Sequence, residues 1–187
     1  MYSEKYPVTE VLPWFALRVR SRAEILVGKC LEQRGHEVFV PTYSDVRRYK
    51  SCVKRVDAAL FPGYLFCRLY RNSRLSVLQT PGVHHIASLG GVPHPVDEQE
   101  LSAIRLAVDS QLPASPCFQV ESGIQARIEF GPLAGLEGIV TTVKGHHRLV
   151  LTIRMLQRSV AVEIDRDWIR PLGVRALNDG AFKVTSN

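Results

Sequence analysis

The sequence predicts two small units in one chain: an α+β domain with helices packed against an antiparallel sheet, then a small all-β barrel. Three observations predict it. Residues 14–108 alternate strand-like and helix-like patterns. Gln111-Leu112-Pro113-Ala114-Ser115-Pro116 interrupts them with two prolines and a serine. Beyond that break the apolar residues follow strand patterns alone. A chain of 187 residues suits one domain or two small ones. With 45% apolar and 22% charged residues it is neither a disordered tail, a collagen nor a coiled-coil rod.

Trp14-Phe15-Ala16-Leu17-Arg18-Val19-Arg20 reads as a strand. Ser21 is placed to cap a helix over 22–34, with Glu24 completing a capping box. Ile25, Leu26, Cys30 and Leu31 give that helix an apolar face, and Gly35 stops it. Residues 36–41 form a second strand, and the basic stretch 42–59 a strand or hairpin. A third strand enters through Pro62-Gly63 and runs to Leu69; residues 72–80 suit a short helix; Val83 to Leu89 is a fourth strand. Asp97 caps a last helix carrying Leu101, Ile104 and Val108 on one face. Past the break, strands are expected at 125–128, 137–140, 148–153 and 160–164. The expected division is a domain at 1–112, a linker at 113–117, a barrel at 118–172 and a tail at 173–187.

The net charge of +6 is unevenly placed. Trp14 to Arg55 holds ten Lys/Arg against four Asp/Glu, and the remainder of the chain sums to zero. Clustered positive charge is the footprint that nucleic-acid contact requires. Residues 47–55 carry Arg47, Arg48, Lys50, Lys54 and Arg55 without an acid, and Tyr49 among them offers a stacking surface. Cys30, Cys52, Cys67 and Cys117 make no C-x-x-C pair and read as thiols of a reducing compartment, Cys30 and Cys67 as core residues. No nucleophile–base motif and no metal-ligand spacing is present, so neither an enzyme nor a metal or cofactor is expected. No apolar run reaches the ~20 residues of a membrane span, and no secretory signal is visible, which predicts a cytoplasmic protein.

Three stretches carry a family resemblance: Trp14-Phe15-Ala16-Leu17 ahead of a helix, Leu60-Phe61-Pro62-Gly63-Tyr64-Leu65-Phe66, and Gly131-Pro132-Leu133-Ala134-Gly135-Leu136-Glu137-Gly138-Ile139-Val140. In this order and spacing they resemble the NusG/RfaH family of transcription elongation and antitermination factors, the third being similar to a KOW motif. The resemblance covers about residues 14–172. It implies a bacterial monomer that binds RNA polymerase on its clamp helices, with Trp14, Phe15, Phe61, Tyr64 and Phe66 as contacts, and suppresses pausing. It implies that Arg20 and Lys50 face the non-template DNA strand, with Arg18, Arg47, Arg48, Tyr49, Lys54 and Arg55 beside them. It implies a partner patch on the barrel at Leu133, Met155 and Leu156, with ribosomal protein S10 as partner.

The chain departs from the housekeeping pattern at Leu156-Gln157-Arg158-Ser159-Val160-Ala161-Val162-Glu163. Gln157 replaces a glycine, Val160-Ala161 replace Thr-Pro, and Leu156 replaces the docking aromatic, which weakens the case for Rho. The pattern resembles an operon-specific antiterminator more than a general factor. A KOW-containing ribosome- or RNA-binding protein would explain the charge and the barrel but not the α+β domain. The β-branched run 148–153, the alternation at 160–164 and the glycines at 131, 135 and 138 predict a barrel that does not switch to a helical form.

Overall fold

The computed structural model describes residues 12–48, 52–69, 74–118 and 123–172. The elements run β1 (Trp14–Val19), α1 (Glu24–Gln33), β2 (Val38–Phe39), β3 (Thr42–Arg48), β4 (Val53–Ala59), β5 (Tyr64–Arg68), α2 (Arg74–Leu78), β6 (Val83–Ile86), β7 (Ser88–Leu89), β8 (Val92–Pro93) and α3 (Glu98–Asp109). They continue as β9 (Ala114–Cys117), β10 (Ile124–Ile128), β11 (Glu137–Val143), β12 (His146–Ile153), β13 (Arg158–Ile164) and β14 (Ile169–Pro171). The fold is α+β followed by an all-β part.

The first sheet has the order β2-β5-β1-β6. Its side chains alternate between two faces, as the pleat demands. Leu17, Val19, Leu65, Cys67 and Ile86 pack with Val27 and Leu31 of α1 and Val77 of α2. Trp14, Ala16 and Phe66 face the other way and join Leu101, Ile104 and Ala107 of α3. Asp97 caps α3, accepting from the backbone N–H of Gln99 and Glu100. The basic stretch forms a separate two-stranded ribbon, β3 with β4.

The first helix differs from its expected form. It starts at Glu24, and no side chain caps it. Arg22 adopts a left-handed φ of 68°, so Ser21 lies outside the helix. The buried stripe is Glu24, Val27, Gly28 and Leu31, while Leu26 is 66% exposed. Gly28 lies on this face: a Cβ there would come within 2.7 Å of the Val40 side chain, so the absence of a side chain permits the close approach to the chain beyond β2.

The second sheet has six strands in the order β14-β10-β11-β12-β13-β9. The expected linker 113–117 is therefore corrected: Ala114–Cys117 is a strand, paired antiparallel to β13 with Val162 opposite Ala114 and Val160 opposite Pro116. Proline holds its φ in a range that suits an extended chain, and an edge strand tolerates its missing N–H. Two further features were not expected: the β7–β8 hairpin turning on Gly90 and Gly91, both at positive φ, and the closing strand β14. Gly131 and Gly135 take positive φ at the barrel turn. Gly138 serves closeness instead, since a Cβ there would meet the Leu149 side chain and the Val150 carbonyl oxygen at 3.0 Å. Residues 148–164 are strand on both sides of a 3-10 turn at Arg154–Leu156.

The two parts touch along α3. Glu100 accepts from both the backbone N–H (3.1 Å) and the Nε (2.5 Å) of Arg154, and Asp97 lies 3.8 Å from the same guanidinium. Glu100 pushes the Arg154 pKa up, by hydrogen bond first and charge second. One apolar cluster runs from Trp14 and Ile104 to Ile128, Leu149, Ile153 and Val160.

Candidate functional site

The aromatic strand is built on cross-strand pairs. Arg18 lies opposite Tyr64, Ala16 opposite Phe66 and Trp14 opposite Arg68. Opposed residues share a face, and the side chains of Trp14, Ala16, Arg18, Tyr64, Phe66 and Arg68 form one stripe across β1 and β5. Phe61 enters from the turn before β5 and meets Phe66 edge-on, with ring centroids 5.5 Å apart and planes at 85°. Phe39 of β2 continues the row, 6.2 Å from Phe66.

α3 covers most of this stripe. Phe66 is fully buried, and Trp14 and Phe61 are 1% exposed. The guanidinium of Arg105, on α3, lies 4.5 Å from the Trp14 ring centroid and 4.4 Å from that of Phe39. Arg68 approaches the Trp14 ring at 5.0 Å. Cation–π contacts of this kind bind the helix to the aromatic row. Trp14, Phe61 and Phe66, expected as direct contacts of a partner, are core residues here, because an aromatic on the face that receives a helix is buried by that helix. Phe15 and Tyr64 remain half-buried. Phe15 points to the opposite face, against the α1 side. Tyr64 lies at the open end of the row, with the Arg18 guanidinium 4.8 Å from its ring centroid.

The turn before Tyr64 is fixed by composition. Phe61 accepts from the Tyr64 N–H at 2.9 Å, and Gly63 has φ +81°. Proline at the second position and a positive-φ glycine at the third define a type II turn. The positive φ is what requires glycine; a Cβ there would also displace the Arg18 guanidinium from its place beside the turn.

The basic residues divide between two places. Arg20, exposed, follows β1. Lys54 and Arg55 are exposed on β4. The ribbon register sets Arg47 opposite Lys54 and Val46 opposite Arg55. Tyr49 and Lys50 lie outside the described residues. A cleft of about 350 Å3 separates the β1–α1 turn at Ser21 and Arg22 from the ribbon base at Tyr43 and Val56.

The barrel patch is only partly as expected. Leu133 is fully buried, because its side chain closes the barrel core beneath the Gly131–Gly135 turn. Met155 and Leu156 are half-buried beside Arg154, next to α3. Gln157 holds φ 50°, a left-handed conformation where the family pattern places glycine. The sequence reading gave Glu24 to a capping box, which the helix does not form, and passed over Arg105. Arg105 lies within the last helix, but nothing local marks its aromatic partners.

Burial pushes the Cys67 thiol up to about 12, with the Glu37 charge as a smaller cause. Such a thiol keeps its proton and is inert at neutral pH. Among the described residues no helix is long and apolar enough to cross a membrane, and no three His, Cys, Asp or Glu side chains gather as metal ligands.

Comparison with known proteins agrees with this architecture. The family profile described as "Transcription termination factor nusG" matches residues 12–105, half of the chain. The transcription termination/antitermination protein NusG of Helicobacter pylori is 25% identical over 167 residues, covering 82% of this chain and 95% of that protein. The NusG of Campylobacter jejuni is 27% identical over 166 residues, with 81% and 92% coverage. Thermotoga maritima NusG, solved in a study of its domain interaction, superposes with a TM-score of 0.58 at 19% identity, over 86% of this chain and 97% of that one. The chain belongs to the NusG family of transcription factors.

Proposed function

We propose that this protein binds RNA polymerase through its α+β part and promotes elongation past pause and termination sites. The observation that carries the reading is Tyr64. It stands half-exposed, gripped by Arg18, at the end of a row in which Trp14, Phe61 and Phe66 are packed away. A rigid aromatic with a packed base and a free tip is the usual anchor of a protein contact. The clamp helices are its partner, and Trp14, Phe61 and Phe66 act from beneath, as the support that fixes it. The β3–β4 ribbon and Arg20 contact the exposed non-template strand by charge. Phosphate contacts of that kind supply affinity without sequence information. Met155 and Leu156 are the barrel's contact for a second protein, ribosomal protein S10.

The specialised, operon-specific role rests on the barrel. Gln157 retains the left-handed turn without the glycine, and Leu156 offers no aromatic. Binding of the full chain to core RNA polymerase, measured by interferometry, tests the main reading. Tyr64→Ala should weaken binding by about 1–2 kcal/mol with an unchanged melting temperature; unchanged affinity would reject the assignment. Failure to replace a depleted general NusG in cells, with antitermination on one operon, supports the specialised role. Full replacement would make it a general factor.

A further inference from the structure

Glu24 is a buried carboxylate, 5% exposed, at the first position of α1. Its Oε1 accepts from the Gly63 N–H at 2.6 Å and from the Arg22 N–H at 3.0 Å. The first bond crosses to the type II turn ahead of β5. The second closes the β1–α1 connection, where Arg22 is held at positive φ. The same turn is clasped from the other side: the Gly63 carbonyl accepts from the Val19 N–H at 2.9 Å and lies 3.5 Å from Arg18 Nη1. Gly63 is thus bound at both its backbone groups. Its neighbour Tyr64 carries the Arg18 guanidinium over its ring.

We propose that Glu24 is a positioning residue: it ties the Pro62–Gly63 turn to the β1–α1 turn and so sets the direction in which Tyr64 and Arg18 face their partner. Two stretches of chain, the β1–α1 connection and the Pro62–Gly63 turn, meet on this one oxygen. Hydrogen bonds to an ionised acceptor are short and strong. Taking the acceptor away leaves two N–H groups, one of them buried, without it, and the turn moves to recover a partner. Arg20, in the same connection, is carried along, so the polymerase-facing tyrosine and the nucleic-acid-facing arginine are held as one unit. This rests on Tyr64 being the polymerase contact.

The test uses the full-length chain with three substitutions, Glu24→Ala, Glu24→Gln and Glu24→Asp. Amide hydrogen exchange at Gly63 and Arg22 is read beside affinity for core RNA polymerase. Glu24→Gln keeps an acceptor oxygen at the same reach. Glu24→Asp keeps the charge but withdraws it by one methylene. In Glu24→Ala and Glu24→Asp, Gly63 exchange should rise about tenfold or more while Leu65 and Phe66 stay protected, and polymerase affinity should fall about tenfold. Glu24→Gln should remain within about threefold of the parent in both readouts. If Glu24→Ala fails to fold, Glu24→Asp gives the decision. Protection of Gly63 unchanged in Glu24→Asp overturns the tie itself. Loss of protection with parental affinity overturns the positioning role, provided Tyr64→Ala weakens binding. If Tyr64→Ala binds like the parent, the polymerase contact is what fails, and Gly63 exchange still decides the tie.

Discussion

The aromatic strand and the basic ribbon are neighbours in sequence and opposites in construction. In β5, Leu65, Phe66 and Cys67 are sealed between helices on both faces, and the turn ahead of them is clamped by Glu24 and Arg18. In the ribbon, β4 is exposed along most of its length, and Val46 and Val53 are 54% and 62% exposed. One region presents a single group from a rigid base. The other presents charge on a two-stranded arm that belongs to neither larger sheet. A contact that must recognise a shape needs the first, because preorganisation cuts the ordering cost of binding. A contact that follows a charged backbone needs it less, because phosphate contacts supply affinity through charge and carry no sequence information.

The comparison breaks most visibly in stability. Phe66→Ala should cost about 3–5 kcal/mol, the usual penalty for emptying a buried aromatic site. Substituting Lys54 and Arg55 by Gln should leave stability within about 0.5 kcal/mol. Urea melts of the two proteins check both, and an equal loss would erase the distinction. A middle effect is expected on nucleic acid. The Lys54/Arg55 substitutions should lower the salt dependence of binding to single-stranded DNA by up to about one log–log unit for each phosphate no longer neutralised. Tyr64→Ala should leave that slope alone.

A smaller effect sharpens the contrast at the cysteines. Iodoacetamide at pH 8 should label exposed Cys52 and spare Cys67 in the folded protein. The folded Cys67 thiol holds its proton up to about 12, against an ordinary 9.0. Between those values the native state binds more protons than the unfolded one, so stability falls as pH rises through that window and is whole below it. Cys67→Ala should flatten this alkaline slope in pH-dependent urea melts. The smallest expected effect lies in the barrel. Gln157→Gly should raise its stability by about 0.5–1 kcal/mol, the left-handed strain relieved less the added freedom of glycine when unfolded.

Much of the fold was legible because its causes are local. Asp97 reads as a cap because the N–H groups it accepts from are two and three residues on. The strands 148–153 and 160–164 carry their own period. The aromatic strand was legible as a place of interest, but its burial was not, since which face receives α3 is decided by residues 101–107. Leu133 misled for the same reason: a turn residue in a KOW-like run reads as surface until the barrel closes over it. Glu24 looked like half of a capping box, yet its partner is Gly63, 39 residues away, and no local rule points there. Residues 113–117 read as a linker from their prolines, although proline at a sheet edge fits a strand as well as a loop.

That short edge strand also sets how far the barrel can travel. While β9 is paired to β13, only residues 110–113 join the barrel to the end of α3. At roughly 3.3–3.6 Å per extended residue they reach at most ~14 Å. Released from β13, the join becomes residues 110–123, with a reach of up to ~50 Å. For a barrel that has left α3, four residues pairing or parting would therefore change the sphere open to it by more than tenfold in volume. The concentration at which it meets a partner near the first domain falls by a similar factor.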